Sequence, residues 1–247
     1  MTKKIALVTG ASSGIGRNAA ISLSAAGFQV VGTARSLAGL EETARLSSGD
    51  VECIPSDVTD VASVDALYAE INDKHGRLDV VFNNAGNSLP SINFGDMEFD
   101  QFKGVIDVNL SGAFLMANRA YRMMRDQNPQ GGRIINNGSI SAYMPRPGSA
   151  AYTASKHAIS GLTRSIALDG RTHNIACGQI DIGNAASDMT TQISQGVPQA
   201  DGSIKGEPTI NVQHIGDAVV HMANLPLDAN VLFMNIMATT MPFVGRG

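Results

Sequence analysis

The chain has 247 residues, 43% of them apolar and 16% charged, with 26 glycines, 2 cysteines and a formal net charge of -4. That apolar content can bury a substantial core, which excludes a disordered chain and a disulfide-stapled miniprotein. The acidic balance gives no support to a nucleic-acid or anionic-membrane partner.

The opening apolar run, Ile5-Ala6-Leu7-Val8, is four residues long. A secretory signal needs roughly 7–15 apolar residues and a membrane span about 20, so a mature start near Met1 and a cytoplasmic location are expected. Cys53 and Cys177 form no CxxC, and the five histidines have no paired ligand spacing. Two core thiols and no metal are therefore expected.

Short β-branched runs predict strands at 5–9, 29–34, 51–55, 78–83, 133–137, 175–180 and 231–236. Helical patterns fall between them at 15–26, 37–46, 61–75, 99–125, 151–168 and 215–223, with Gly27 and Gly76 placed as C-terminal caps. The strands lack polar alternation, which suits a parallel sheet buried on both faces. Strand–helix alternation with no linker or repeat predicts one α/β domain over 1–247, a doubly wound sheet with right-handed crossovers.

After the first strand comes Thr9-Gly10-Ala11-Ser12-Ser13-Gly14-Ile15-Gly16, and a helix follows. Gly10 permits a tight turn, while Gly14 and Gly16 let the backbone approach a ligand. The helix N-terminus at Ile15 offers free N–H groups to a pyrophosphate, and Ser12 and Ser13 add hydroxyls. The spacing is GxxxGxG rather than GxGxxG, yet its place at the first strand–helix junction favours dinucleotide binding.

The second strand ends in Ala34-Arg35-Ser36, with no acid to grip a ribose 2′-hydroxyl. Arg35 is either a solvated helix-start residue or a planar fork for a 2′-phosphate, and NADP is favoured over NAD.

Gly138-Ser139-Ile140-Ser141 follows the fifth strand, and Tyr152-Thr153-Ala154-Ser155-Lys156 opens a helix. Tyr152 and Lys156, four apart, share one helix face. A phenol titrates near 10, and an adjacent ammonium favours the phenolate. Lowering it by about three units needs roughly 4 kcal/mol, which a partly buried lysine and an oxidised nicotinamide could supply together. With no His–acid pair in view, Ser139 is expected to hold a carbonyl oxygen beside Tyr152 rather than attack it.

The stretch 183–211 has weak periodicity and is long for a connection, so it is either a lid or binding loop or an unstructured insertion. Residues 144–148 and that stretch are the candidate substrate pocket. Met144, Met189 and Ile193 would line it for a hydrophobic ketone or else belong to the core.

With Thr9–Gly16, Asn83-Asn84-Ala85-Gly86, Asn109, Ser139, Tyr152 and Lys156 in order, the sequence resembles the classical short-chain dehydrogenase/reductase family over roughly residues 3–182. The resemblance implies a Rossmann-like domain with strand order 3-2-1-4-5-6-7, a variable region over 183–213, a C-terminal part over 214–247, and a homodimer or homotetramer. It implies that Ser139 steadies the substrate, Tyr152 is the acid/base, Lys156 binds the nicotinamide ribose, and Asn109 supports a proton relay. Asp57-Val58 would hold the adenine, or Asp57 is a turn residue, and Asn84-Ala85-Gly86 would pass under the adenosine ribose. After the sixth strand the chain departs from the family's Pro-Gly and Thr, and Ile182 and Asn184 would contact the carboxamide instead. The tail 238–247 is also atypical.

The expected activity is hydride transfer between NADP(H) and a carbonyl or secondary alcohol. An NAD-dependent alcohol dehydrogenase and a catalytically silent NADP-binding regulator are the alternatives.

Overall fold

The computed structural model describes residues 3–186 and 196–244. Its strands are β1 (Ile5–Thr9), β2 (Gln29–Ala34), β3 (Val51–Pro55), β4 (Val80–Asn83), β5 (Gly132–Asn137), β6 (Ile175–Ile182), β7 (Val197–Pro198), β8 (Ile204–Lys205) and β9 (Phe233–Ile236). Seven of them form one parallel sheet in the order β3-β2-β1-β4-β5-β6-β9, as the resemblance implies.

Every residue of β1 is buried, so the strand has no solvent face and must be covered on both sides. Its two-residue period sends Ala6 and Val8 to one core and Ile5 and Leu7 to the other. Helix α1 (Gly14–Ala25) and the later α7 (Val212–Asn224) cover the first face through Ala19, Leu23, Ile215 and Val219. On the second face lie Val64, Leu67 and Ile71 of α3 (Val61–His75), with Met116, Ala120 and Met124 of α5 (Ala113–Asp126). Between these helices in the chain come α2 (Leu37–Leu46), α4 (Phe99–Ile106) and α6 (Ala150–Asp169).

Local chemistry sets the helix ends. Ser36, Asp60 and Asn211 each accept a first-turn N–H of α2, α3 and α7. Gly76 closes α3 in the left-handed region at φ 66. At the start of β5, buried Arg133 donates to Asn230 Oδ1 and to the main-chain oxygens of Leu225, Pro226 and Ala229, bracing the turn between α7 and β9.

The structure departs from the sequence reading in several places. The single helix expected over 99–125 is interrupted by a π segment, Asp107–Gly112, between α4 and α5. At Gly112 a Cβ would meet Val58 Cγ2 at 2.8 Å, so glycine lets this segment pack directly on Val58. The sixth strand runs on to Ile182, because Asp181 and Ile182 pair with Asn235 and Ile236. Cys177 is a core thiol, but Cys53 is only half-buried, since β3 is an edge strand. Within 183–211 the chain forms the antiparallel β7–β8 pair and a bridge from Ala185 to Ile210. Met189 and Ile193 lie outside the described residues. Among those described, no helix is long and apolar enough to cross a membrane.

Candidate active site

The carboxyl ends of β1, β4 and β5 come together through three side chains. Thr9 Oγ1 accepts the N–H groups of Asn84 and Ala85, both at 2.8 Å. Asn84 Nδ2 returns a bond to the Thr9 oxygen, and Asn137 Nδ2 donates to Asn84 Oδ1 at 2.8 Å. The glycine turn sits directly above. A Cβ on Gly16 would stand 2.2 Å from the Gly10 oxygen, so α1 begins in backbone contact with the turn. Ser13 makes no side-chain cap, leaving the first-turn N–H groups of α1 without an acceptor from it. Arg17 braces the turn from behind, donating to the Ser12 oxygen and to Thr43 Oγ1. A helix N-terminus whose first-turn N–H groups are not capped by Ser13 fits a pyrophosphate.

Ser139 follows β5 and opens a short 3-10 turn, Ile140–Ala142, which packs against α6. Its Oγ accepts the Ser141 N–H at 3.1 Å, so the hydroxyl hydrogen stays free to donate to a ligand oxygen. Beneath the turn lies the fully buried Asp181. Its Oδ1 accepts the Ser139 N–H at 2.9 Å and Gln179 Nε2 at 2.6 Å, and its Oδ2 accepts the Tyr143 hydroxyl at 2.9 Å. Burial pushes this carboxyl above the usual range, against the opposing pull of its donors and of Lys156.

Tyr152 and Lys156 occupy the first two turns of α6 and share its sheet-facing side. Lys156 is buried, donates from Nζ to the Asn137 oxygen at 2.8 Å, and places Nζ 5.5 Å from the centre of the Tyr152 ring. Asn109, in the π segment, donates to the Asn87 oxygen and to Ser155 Oγ and accepts the Asn87 N–H. Ser155 in turn donates to the main-chain oxygen of Tyr152 at 2.7 Å. The side chain of Asn109 thus ties the segment after β4 to the Tyr152 turn and makes no direct bond to Lys156.

Other expected contacts are placed as follows. Arg35 is exposed at the end of β2, and its charge reaches Asp57. Asp57 Oδ1 accepts the N–H and hydroxyl of Thr59, the turn role weighed above. Val58 is buried beneath Gly112. Gly86 is exposed beside Asn109. Ile182 ends β6, and Asn184 bonds Arg146 and the buried Glu207. Met144 is 42% exposed, so it is no core residue. A cleft of about 170 Å³ between Ile92, Phe94, Pro145, Arg146 and Thr153 adjoins α6 but is lined by neither Ser139 nor Tyr152. Among the described residues no cluster could hold a metal ion.

The sequence pattern of the short chain dehydrogenase family matches residues 4–198. The chain belongs to that family. It is 40% identical over 185 residues to a 3beta-hydroxysteroid dehydrogenase of Mediterraneibacter gnavus, a match spanning 72% of this chain and 64% of that protein. It is 35% identical over 217 residues to the uncharacterized oxidoreductase YohF of Escherichia coli, covering 86% and 83% of the two chains. The acetoin dehydrogenase YohF of Salmonella typhimurium superposes with a TM-score of 0.80 over 95% of each chain at 31% identity.

In this short-chain dehydrogenase several residues of the site escaped sequence reading. Asn137, Asn87 and Arg17 act through bonds to residues distant in the chain, which spacing does not reveal. Asp181 lies one residue past the strand read over 175–180, so its place inside β6 was hidden as well.

Proposed function

We propose that the protein interconverts a carbonyl compound and its secondary alcohol with NADP(H), using Tyr152 as general acid and base. The observation that carries this reading is the Lys156 ammonium beside the Tyr152 ring, on a helix packed against the Ser139 turn. The names of its relatives, a hydroxysteroid dehydrogenase and an acetoin dehydrogenase, support alcohol–carbonyl chemistry.

Gly10, Ser12, Ser13, Gly14, Ile15 and Gly16 would hold the pyrophosphate, with Gly10 and Gly16 in close backbone contact. Arg35 would pair with a 2′-phosphate, Asp57 and Val58 would flank the adenine, and Asn84, Ala85 and Gly86 would lie along the ribose. When bound, the nicotinamide supplies or accepts the hydride. Ser139 donates its free hydroxyl hydrogen to the substrate oxygen and fixes its distance from Tyr152. Tyr152 gives that oxygen a proton in reduction and takes it back in oxidation. Lys156 would hold the nicotinamide ribose beside the Tyr152 ring, and Asn109 steadies the turn that presents Tyr152. Ile182 and Asn184 would border the carboxamide. The exposed rings of Phe99 and Phe114 on α4 and α5 support assembly into a homo-oligomer.

The test is a panel of ketones, diketones and β-keto esters followed by NADPH absorbance and repeated with NADH. Turnover with NADPH well above that with NADH is expected. Faster turnover with NADH would overturn the cofactor assignment.

A further inference from the structure

A carboxylate with no exposed surface is costly, and it persists where a specific geometry needs it. Asp181 is such a group, carried on a strand paired on both sides. Its three donors come from three places: the main chain of Ser139, Gln179 of its own strand, and the phenol of Tyr143. Gln179 is itself held by Thr163 at 2.9 Å and Ser160 at 3.0 Å, both on α6. The carboxylate therefore cannot swing without breaking a buried chain of bonds. It also presses against the turn from below, since a Cβ on Gly138 would lie 2.0 Å from Oδ1. Tyr143, 42% exposed, stands at the surface beside the Ser139 turn, with its ring edge-on to Phe243 of the tail at 6.4 Å.

We infer that Asp181 is a positioning residue: one carboxylate holds the Ser139 amide and the Tyr143 phenol together, registering the serine hydroxyl against the exposed Tyr143 ring beside it. The inference rests on the reaction proposed above, with Ser139 at the substrate oxygen. Asn at 181 can satisfy the same three partners, because Tyr143 can turn its hydroxyl to accept, whereas Ala satisfies none.

The experiment compares Asp181→Ala, Asp181→Asn and Tyr143→Phe in the full chain. It reads kcat and KM with 2,3-butanedione, thermal melting, and hydrogen–deuterium exchange of peptides spanning 138–146. Asp181→Ala is expected to speed exchange in that segment and to lower kcat by about ten- to hundredfold, the loss that a misplacement near 1 Å produces. Asp181→Asn should restore slow exchange and most of kcat without lowering Tm at neutral pH. Tyr143→Phe should raise KM with kcat little changed.

Unchanged exchange and unchanged kcat in Asp181→Ala would overturn the inference. So would equal losses in the Ala and Asn variants that track a lowered Tm, which would mark a purely structural role. If neither variant at 181 folds, Tyr143→Phe decides, and an unaltered KM with unaltered exchange refutes the positioning. A wild-type protein that reduces no carbonyl compound would count against the proposed reaction alone, and the exchange measurements would still decide the role of Asp181.

Discussion

The ammonium of Lys156 stands 5.5 Å from the centre of the Tyr152 ring and donates a 2.8 Å hydrogen bond to the main-chain oxygen of Asn137. Because Asn137 also bonds Asn84, which bonds Thr9, the position of this cation is set by the ends of three sheet strands. A flexible side chain becomes a fixed charge.

Replacing Tyr152 with Phe keeps the ring beside Lys156 and removes only the hydroxyl. The kcat for carbonyl reduction should fall by about 10²–10⁴-fold, the usual contribution of general acid catalysis. Cofactor affinity, read by NADPH fluorescence titration, should stay within a small factor. A variant that keeps wild-type kcat would remove Tyr152 from the mechanism.

Arg35 is exposed, so its truncation leaves the core intact. Arg35→Ala is expected to lower kcat/KM with NADPH by roughly 10- to 100-fold, the range for a lost hydrogen bond to a charged group. The value with NADH should change far less. Parallel losses with both cofactors would show that Arg35 does not read the 2′-phosphate.

At Gly16 the argument is steric. A methyl group there meets the main-chain oxygen of Gly10 at 2.2 Å and Asn84 Nδ2 at 2.6 Å. Gly16→Ala must push α1 away from the turn, so cofactor binding should be lost or greatly weakened while the circular-dichroism spectrum stays α/β. Wild-type affinity in this variant would mean that the turn is not the phosphate cradle.

Glu207 makes the stability of the region after β6 depend on pH. Burial by itself would raise its carboxyl, but the bonds from Arg146, Asn184 and Gln199 and the Arg146 charge outweigh that and hold it at about 2. A native value below the unfolded one adds stability at neutral pH that disappears as the pH falls from about 4.3 through the native value. Glu207→Gln should therefore lower Tm by several degrees at pH 7, from a loss of about 1–3 kcal/mol. The gap between the two proteins should narrow near pH 3, and equal melting curves at pH 7 would contradict the assignment.

The strand positions and the shared face of Tyr152 and Lys156 were legible because both rest on local rules, whereas the sheet order came from the family resemblance. Apolar runs such as Ile5–Thr9 marked the strands, and the four-residue step from Tyr152 to Lys156 put both groups on one face. The π segment was not legible, since its i to i+5 bonds leave the apolar spacing of 99–125 looking helical. Asn184 was read from its neighbours in the chain, whereas its bonds go to Arg146, 38 residues earlier, and Glu207, 23 residues later. Partnerships across such distances are decided by the folded topology.

Arg133 and Ser139 lie at opposite ends of β5, one clamping the bend between α7 and β9, the other meeting the open rim of the sheet. Robustness and rate are thus seated on the same strand yet spatially apart. Loosening the guanidinium clamp should yield molecules that melt early but work at full speed while folded, so an engineer could adjust heat tolerance here without retuning the chemistry.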